Sequence, residues 1–459
     1  MIGENDYMFS FLKPEHVQEK VSPEEIPRKY KVMGFQSLLG IFFGYMAYYI
    51  IRNNFALSTP YLQEELNLSA TQIGFLSSSM LIAYGISKGV MSSLADKASP
   101  KKFMAFGLLM SALVNIMLGF GTAFWMFVIL VIILGALQAM GVGPSYITLA
   151  HWVPHKKRGT LSAIWNISHN VGGGIVAPIV GFGFAIFGSN NWQIATYQLP
   201  AAVAIIFAMV VLLLVKERPV NEGLPPINEV SGESVNVMES EDAVPDSQED
   251  KSFWYIFKNY ALKNKNVWYT SFADAFNYMI RYGILSWLPI YLIHVKQFSQ
   301  GEMSVAFFIF EWAAIPSTLL AGYISDKIFK GYRMPPAIIA LVIIFFGIIG
   351  YWISDSLVMV TIFAGLVGCL IYVPMFLVSV QAIEVVPPFA VGSSTGLRGF
   401  ISYIFGASAG TTIFGLMIDT VGWNGGFIML LIATVLGIVL CTLIQLSIHK
   451  QNKMKNTVQ

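Results

Sequence analysis

The sequence predicts an all-α membrane protein with twelve transmembrane helices in two pseudo-symmetric six-helix bundles. Hydrophobic residues make up 55% of the 459 residues and charged residues only 12%, whereas an average soluble chain carries about 25% charged residues. Long apolar runs recur along the chain, and each is close to the roughly 20 residues that a helix needs to cross a bilayer. The runs are too long, and alternate too little, to be transmembrane strands.

Twelve apolar runs define the predicted spans. They cover residues 34–55, 69–94, 103–122, 124–150, 160–187 and 194–215, and then 267–293, 303–323, 336–354, 356–384, 391–417 and 424–447. The predicted parts are an N-terminal segment (1–33), an N-terminal bundle (34–215), a linker (216–262), a C-terminal bundle (263–448) and a tail (449–459). The middle of the linker is acidic and contains proline and serine, which favours a flexible tether.

Lysine and arginine in short loops predict the orientation, because such residues concentrate on the cytoplasmic side. The basic loops are those with Lys97, Lys101 and Lys102, with Lys156, Lys157 and Arg158, and with Lys327, Lys330 and Arg333. Both termini and the linker are therefore expected in the cytoplasm. The N-terminal segment lacks the features of a cleaved signal, so we expect an uncleaved multi-pass membrane protein.

The two halves of the sequence are related by a nearly constant offset. Asp96 and Asp326 lie 230 positions apart (326 − 96), and Arg52 and Arg281 lie 229 apart (281 − 52). Two further pairs with an offset of 229 or 230 are His169 with Arg398 and Pro144 with Pro374. Such a repeat predicts a substrate site near the middle of the membrane, between the two halves.

A few charged side chains interrupt the apolar helices, where a charge costs about 2.5–3.5 kcal/mol and normally faces a watery cavity or a partner. These residues are Arg52, Lys88, His169, Arg281, Glu311 and Arg398, with Asp274 nearer the start of helix 7. The excess of cations predicts an anionic ligand. The planar fork of arginine suits phosphate, so Arg52 and Arg281 are expected to hold one phosphate, with Glu311 balancing a cation.

Polar and aromatic residues accompany these cations at helical spacing, three, four or seven positions away. The candidate lining residues are Tyr45, Tyr49, Tyr84, Asn166 and Tyr278. Ordinary helix packing explains the tyrosines equally well. The loops of Asp96 and Asp326 are expected to latch the cytoplasmic side against nearby basic residues.

Four segments carry a resemblance to the organophosphate:inorganic phosphate antiporters of the major facilitator superfamily. They are Gly40–Leu62, Ile82–Gly89, Lys156–Gly174 and Arg281–Leu292. The resemblance implies the major facilitator fold and alternating access by rocking of the two halves. It also implies that Arg52 and Arg281 bind the phosphate group, that His169 assists, and that Lys88 belongs to the cationic site.

Within this family, the segments Ser87–Lys102, Glu311–Gly322 and Gly396–Ser408 look most like the phosphoglycerate branch. That resemblance implies import of 2- and 3-phosphoglycerate and phosphoenolpyruvate in exchange for phosphate. At one place in helix 11 the hexose-phosphate branch looks to carry an acid and a lysine three positions apart. This chain has Thr395 and Arg398 at that place. Arg398 is therefore expected to lack a local acid, and such a cation favours a ligand with a carboxylate beside its phosphate.

Other functions stay open at this point. They are a glycerol 3-phosphate or hexose-phosphate antiporter, a transporter-like sensor of phosphorylated metabolites, and a proton-coupled symporter with His169 or Glu311 as the carrier. A membrane enzyme is not favoured, because no metal-ligand cluster, activated nucleophile or nucleotide-binding loop stands in a suitable context. Cys369 and Cys441 lie in apolar runs and suggest neither a disulfide nor a metal. No catalytic residue, metal, cofactor or nucleic-acid partner is expected, and the protein is predicted to act as a monomer in the bilayer.

Overall fold

The computed structural model describes residues 10–15, 20–96, 98–231, 253–387 and 390–458. Lys97 of the first basic loop and residues 232–252 of the linker lie outside these ranges. Every regular element in the described ranges is a helix. The prediction of an all-α protein is therefore confirmed.

Twelve long helices in the described ranges, α1 to α12, correspond to the predicted spans. The first six are α1 (Ile26–Leu66), α2 (Ala70–Asp96), α3 (Pro100–Leu118), α4 (Phe124–Trp152), α5 (Lys156–Phe187) and α6 (Ile194–Leu214). The others are α7 (Lys265–Ile290), then α8 (Gln300–Ile328), α9 (Met334–Ile353), α10 (Leu357–Glu384), α11 (Val391–Val421) and α12 (Trp423–Lys450). Eleven are long and apolar enough to cross a membrane; α7 has the length but buries several polar side chains.

The chain forms two compact units that do not follow the sequence halves. The first unit contains Met1–Ser58 and Ala83–Asn236, and the second contains Thr59–Ile82 and Val237–Gln459. The end of α1 and the first half of α2 thus belong to the second unit. Each unit is described by itself below.

In the first unit, α1 is kinked just before its arginine. Ile51 leaves the helical region of backbone space (φ −91°, ψ 16°), and Asn115 Nδ2 donates a hydrogen bond to the Ile51 carbonyl oxygen at 3.0 Å. Asn54 Nδ2 in turn donates to Asn115 Oδ1 at 2.6 Å. A side chain inserted into the backbone ladder is a usual cause of a kink, so these two asparagines fix the direction in which Arg52 leaves the helix.

In each unit a glycine allows two helix backbones to touch. A Cβ atom on Gly172 of α5 would lie 2.0 Å from the Met46 carbonyl oxygen of α1, and one on Gly406 of α11 would lie 2.2 Å from the Ala275 oxygen of α7. Met46 and Ala275 are 229 positions apart (275 − 46), which is the offset of the sequence repeat, whereas Gly172 and Gly406 are 234 apart (406 − 172). A close contact at a glycine therefore occurs in both units at equivalent positions of α1 and α7, but its glycine lies five positions later on α11 than the repeat predicts (234 − 229).

The polar segments at the start of the chain and after α6 pack on the first unit. Leu12 lies in an apolar cluster with Ala95 and Phe103, and Trp152 Nε1 donates to the Glu217 carbonyl oxygen at 3.1 Å. The helix α1 also begins eight residues before its predicted span (34 − 26), because its first turns are polar and hydropathy does not detect them. The start of the predicted tether is thus an ordered part of this unit.

In the second unit, a carboxylate from α11 caps the N-terminus of α2. Asp419 Oδ1 accepts a hydrogen bond from Ala70 N at 3.0 Å, and Oδ2 accepts from Thr71 N at 2.7 Å and Thr71 Oγ1 at 2.6 Å. First-turn amides have no partner within their own helix, and a negative charge there also complements the helix dipole. Farther along, Ser78 Oγ and Thr412 Oγ1 lie 2.7 Å apart, so polar contacts join these helices at two places along α2.

We expect Asp419→Ala to destabilise the protein by about 1–2 kcal/mol, the usual range for a lost helix cap. Thermal unfolding in detergent, followed by tryptophan fluorescence, measures this. The control is Asp355→Ala, which removes another acid of the same unit whose side chain is 90% exposed beside Lys296 and is worth little as a surface pair. Equal melting temperatures for the two variants would contradict the capping role.

Candidate substrate-binding site

Arg52 is the centre of an aromatic cluster in the first unit. Its side chain is only 3% exposed, and its guanidinium carbon lies 4.3 Å from the Tyr84 ring centre and 5.2 Å from that of Tyr49. Tyr49 also packs beside Tyr45 at 5.5 Å and beside His169 at 5.2 Å between ring centres. Rings at these distances stabilise a cation by their quadrupoles. The structure therefore brings together five of the residues singled out in the sequence.

His169 is oriented by its own helix. Its Nδ1 atom contacts the backbone carbonyl oxygen of Asn166, a contact that assigns the proton to Nδ1 and directs Nε2 away from the helix backbone. The side-chain amide of Asn166 takes no part in this contact. Lys88 follows Tyr84 by one turn of α2, and its side chain is exposed.

Arg281 is the corresponding cation of the second unit. Its side chain is buried, and Nη1 donates a hydrogen bond to the Tyr282 hydroxyl at 3.2 Å. The rings of Tyr282 and Tyr372 lie 4.9 and 4.8 Å from its guanidinium carbon. Glu311 Oε1 is 3.7 Å from Nη2, which is longer than a hydrogen bond but short enough for strong charge attraction in a buried place.

Arg398 forms an ion pair with Asp274, so the expectation that Arg398 lacks a local acid is wrong. Arg398 Nη1 hydrogen-bonds Asp274 Oδ2, and Ser402 Oγ donates to the same oxygen at 2.8 Å. The acid is on α7 rather than on α11, 124 positions away. One sequence signal pointed to it, because Asp274 precedes Arg281 by seven residues, or two helical turns, and shares its face.

Tyr278 lies between these two charged groups along α7. Its ring packs edge-on against Tyr403 at 5.0 Å and lies 5.9 Å from Tyr282. The sequence singled out Tyr278 but neither Tyr282 nor Tyr372 as a neighbour of Arg281. Tyr372 comes from α10, and no spacing in the sequence relates it to α7.

The buried charges at the predicted site residues of the second unit balance. Arg281 and Arg398 are matched by Glu311 and Asp274, so these two arginines do not contribute to the excess of cations expected from the sequence. The excess positive charge among the predicted site residues therefore falls on Arg52 and Lys88 of the first unit.

The two acidic loop residues differ in their contacts. Asp326 pairs with Arg333, whose guanidinium also hydrogen-bonds Glu384 Oε1 through Nε at 3.0 Å. The hydrogen bond to Glu384 raises the pKa of Arg333, and Asp326 adds to the effect. Asp96 is exposed, and its backbone oxygen accepts a hydrogen bond from Arg218 Nη2 at 2.6 Å.

The described residues form twelve long helices that bury arginines among tyrosines and acids, which is typical of a membrane transporter. Residues 41–411 match the family model described as Major Facilitator Superfamily. The chain belongs to this superfamily and is a transporter rather than an enzyme.

Curated relatives narrow the class further. A phosphoglycerate transporter protein of Salmonella typhimurium is 59% identical over 98% of this chain and 98% of its own length. A glycerol-3-phosphate transporter of Bacillus subtilis is 37% identical, covering 95% and 98%. A hexose-6-phosphate:phosphate antiporter of Escherichia coli is 32% identical, covering 98% and 99%.

Solved structures agree on the fold. A bacterial homologue of the human lysosomal transporter Spinster superimposes with a TM-score of 0.72 at 16% identity, covering 91% of this chain and 97% of that one. Identity this low supports the fold alone.

Proposed function

We propose that the protein imports phosphoglycerates and phosphoenolpyruvate in exchange for inorganic phosphate. It acts in the bacterial inner membrane, with both termini in the cytoplasm. The observation that carries the proposal is the 59% identity, over nearly the whole chain, to a phosphoglycerate transporter. The other two relatives are named for glycerol 3-phosphate and hexose 6-phosphate, which are also phosphate esters. This supports a phosphate-binding site common to all of them.

In this proposal the cations bind the anion and the tyrosines line its path. Arg52 and Arg281 bind the phosphate group, assisted by His169 and Lys88, and Arg398 meets a second anionic group. The burial of Arg52 and Arg281 against aromatic rings supports this role, because a rigidly held guanidinium loses little freedom when it donates hydrogen bonds to two phosphate oxygens. Tyr45, Tyr49, Tyr84, Asn166 and Tyr278 are the proposed lining residues.

Exchange follows from the cost of burying charge. A cationic site that closes without its anion loses several kcal/mol of hydration, whereas a bound phosphate offsets that loss. The protein therefore changes between its two access states easily when it is loaded and slowly when it is empty. Glu311, 3.7 Å from Arg281, offsets part of the charge in the empty state, while Asp96 and Asp326 stabilise the cytoplasmic loops.

Competition in proteoliposomes tests the choice of substrate. Vesicles with purified protein are loaded with labelled phosphate, and external 3-phosphoglycerate, phosphoenolpyruvate, glycerol 3-phosphate or glucose 6-phosphate is added at equal concentration. We expect 3-phosphoglycerate to release phosphate about tenfold faster than glycerol 3-phosphate, a difference of about 1.4 kcal/mol in recognition. External sulfate serves as the control.

Two results would overturn the proposal in different ways. Fastest release by glycerol 3-phosphate would make this a glycerol-phosphate exchanger. Binding of organophosphates without any release of phosphate would indicate a sensor rather than a transporter.

A further inference from the structure

The two side chains of the ion pair between Asp274 and Arg398 are buried to different extents, which an ion pair that only joins two helices would not require. The Asp274 side chain is fully buried, whereas 17% of the Arg398 side chain is exposed. Asp274 therefore holds the guanidinium from a buried position, and part of the Arg398 side chain reaches accessible surface. An arginine held in this way can bind an anion while it keeps its internal partner.

The pair is also incompletely satisfied. Asp274 Oδ1, Arg398 Nε and both polar atoms of the neighbouring Asn277 amide are buried without a hydrogen-bond partner among the described residues. Buried polar atoms are nearly always hydrogen-bonded in a finished site. The unsatisfied atoms in this region indicate a place where a polar ligand or water completes the hydrogen bonding.

Asp274 also reduces the charge that Arg398 presents. A carboxylate in contact with a guanidinium cancels most of its field at longer distance, and this matters greatly where little water screens it. A ligand with one anionic group gains little from a cation that is already paired. A ligand with a second anionic group gains only what the pairing with Asp274 leaves available.

We propose that Asp274 is a specificity-determining residue, which holds Arg398 in place and sets how strongly the transporter prefers phosphate esters with a carboxylate over those without one. The inference rests on the proposed function, because it assumes that Arg398 meets the second anionic group of the substrate. It adds a residue that acts through Arg398.

The test measures the inhibition of labelled-phosphate self-exchange in proteoliposomes by 3-phosphoglycerate and by glycerol 3-phosphate. The ratio of the two half-inhibitory concentrations reports the preference for the carboxylate. Asp274→Asn keeps the shape and removes the charge, so we expect the ratio to shift about tenfold toward 3-phosphoglycerate. Asp355→Asn, the same change at an exposed acid, is expected to leave the ratio unchanged.

A second background separates this role from a structural one. Without its arginine Asp274 has no cation to hold or to neutralise, so Asp274→Asn is expected to shift the ratio less than about twofold in an Arg398→Gln protein. If Asp274 had a purely structural role, Asp274→Asn would lower the rate of phosphate self-exchange. The ratio of the two half-inhibitory concentrations would then stay unchanged. An equal shift in both backgrounds would also overturn the proposal.

If Asp274→Asn does not fold, Ser402→Ala provides the test. It removes the hydroxyl that shares the Asp274 oxygen, so the carboxylate pairs more tightly with Arg398 and the ratio falls about threefold. An unchanged ratio, or a rise, would contradict the proposal. Absence of phosphate self-exchange in the wild type would instead refute the proposed function, whereas normal self-exchange with unmoved ratios refutes only the role of Asp274.

Discussion

Replacing Arg281 with lysine is expected to lower the rate of phosphate exchange about a hundredfold. The guanidinium is fixed by the Tyr282 hydroxyl at 3.2 Å and by the Tyr372 ring at 4.8 Å, and in the proposed function its planar fork donates hydrogen bonds to two phosphate oxygens. Lysine offers a point charge on a flexible stem and loses one of the paired hydrogen bonds. A loss of about 3 kcal/mol corresponds to this factor.

The measurement is labelled-phosphate self-exchange by purified protein in proteoliposomes, normalised to the amount of folded protein. Arg28→Lys is the matched control, because it makes the same substitution at an exposed position of α1. Exchange at the wild-type rate in the Arg281→Lys protein would show that a single positive charge suffices there, and that the arginine fork has no role in binding phosphate.

Replacing Gly172 with alanine is expected to destabilise the first unit by about 3 kcal/mol or more. The added methyl group would lie 2.0 Å from the Met46 carbonyl oxygen and 2.8 Å from its carbonyl carbon. Backbone atoms cannot turn aside as a flexible side chain can, so α5 must move away from α1, and overpacking of this kind is costly. The shift also separates His169 on α5 from Tyr49 on α1, so phosphate exchange falls in whatever protein still folds.

The same helix provides the control. Gly181→Ala adds an identical methyl group where no atom lies within 4 Å, and alanine favours a helix by about 1 kcal/mol over glycine. We therefore expect Gly181→Ala to raise the melting temperature slightly and Gly172→Ala to lower it sharply, both in detergent. A lower melting temperature for Gly181→Ala, or equal values for the two, would contradict the packing argument.

The helical class was predictable from the sequence, because an apolar run of about 20 residues has few alternatives in a bilayer. The grouping of Arg52 with two tyrosines of α1 was also predictable from the sequence. Tyr45, Tyr49 and Arg52 are spaced by four and three positions, so one helix places them on one face without help from any tertiary contact.

Contacts between distant helices were not predictable from one sequence. The acid that pairs with Arg398 lies 124 positions away, and the acid that caps α2 lies 349 positions from Ala70. Hydropathy and helical spacing relate residues within one helix, whereas these pairs depend on which helices pack side by side. The wrong expectation for Arg398 came from looking for its partner on its own helix.

The central claim is that the protein takes up an organophosphate only in exchange for phosphate. The most direct test is therefore uptake of labelled 3-phosphoglycerate by proteoliposomes of the wild-type protein. Vesicles with and without internal phosphate are compared, with no proton gradient imposed. We expect uptake at least about tenfold faster with phosphate inside, because in the proposed exchange mechanism the empty cationic site changes access slowly. Equal uptake in both kinds of vesicle, with acceleration only when a proton gradient is applied, would contradict exchange and indicate proton-coupled transport.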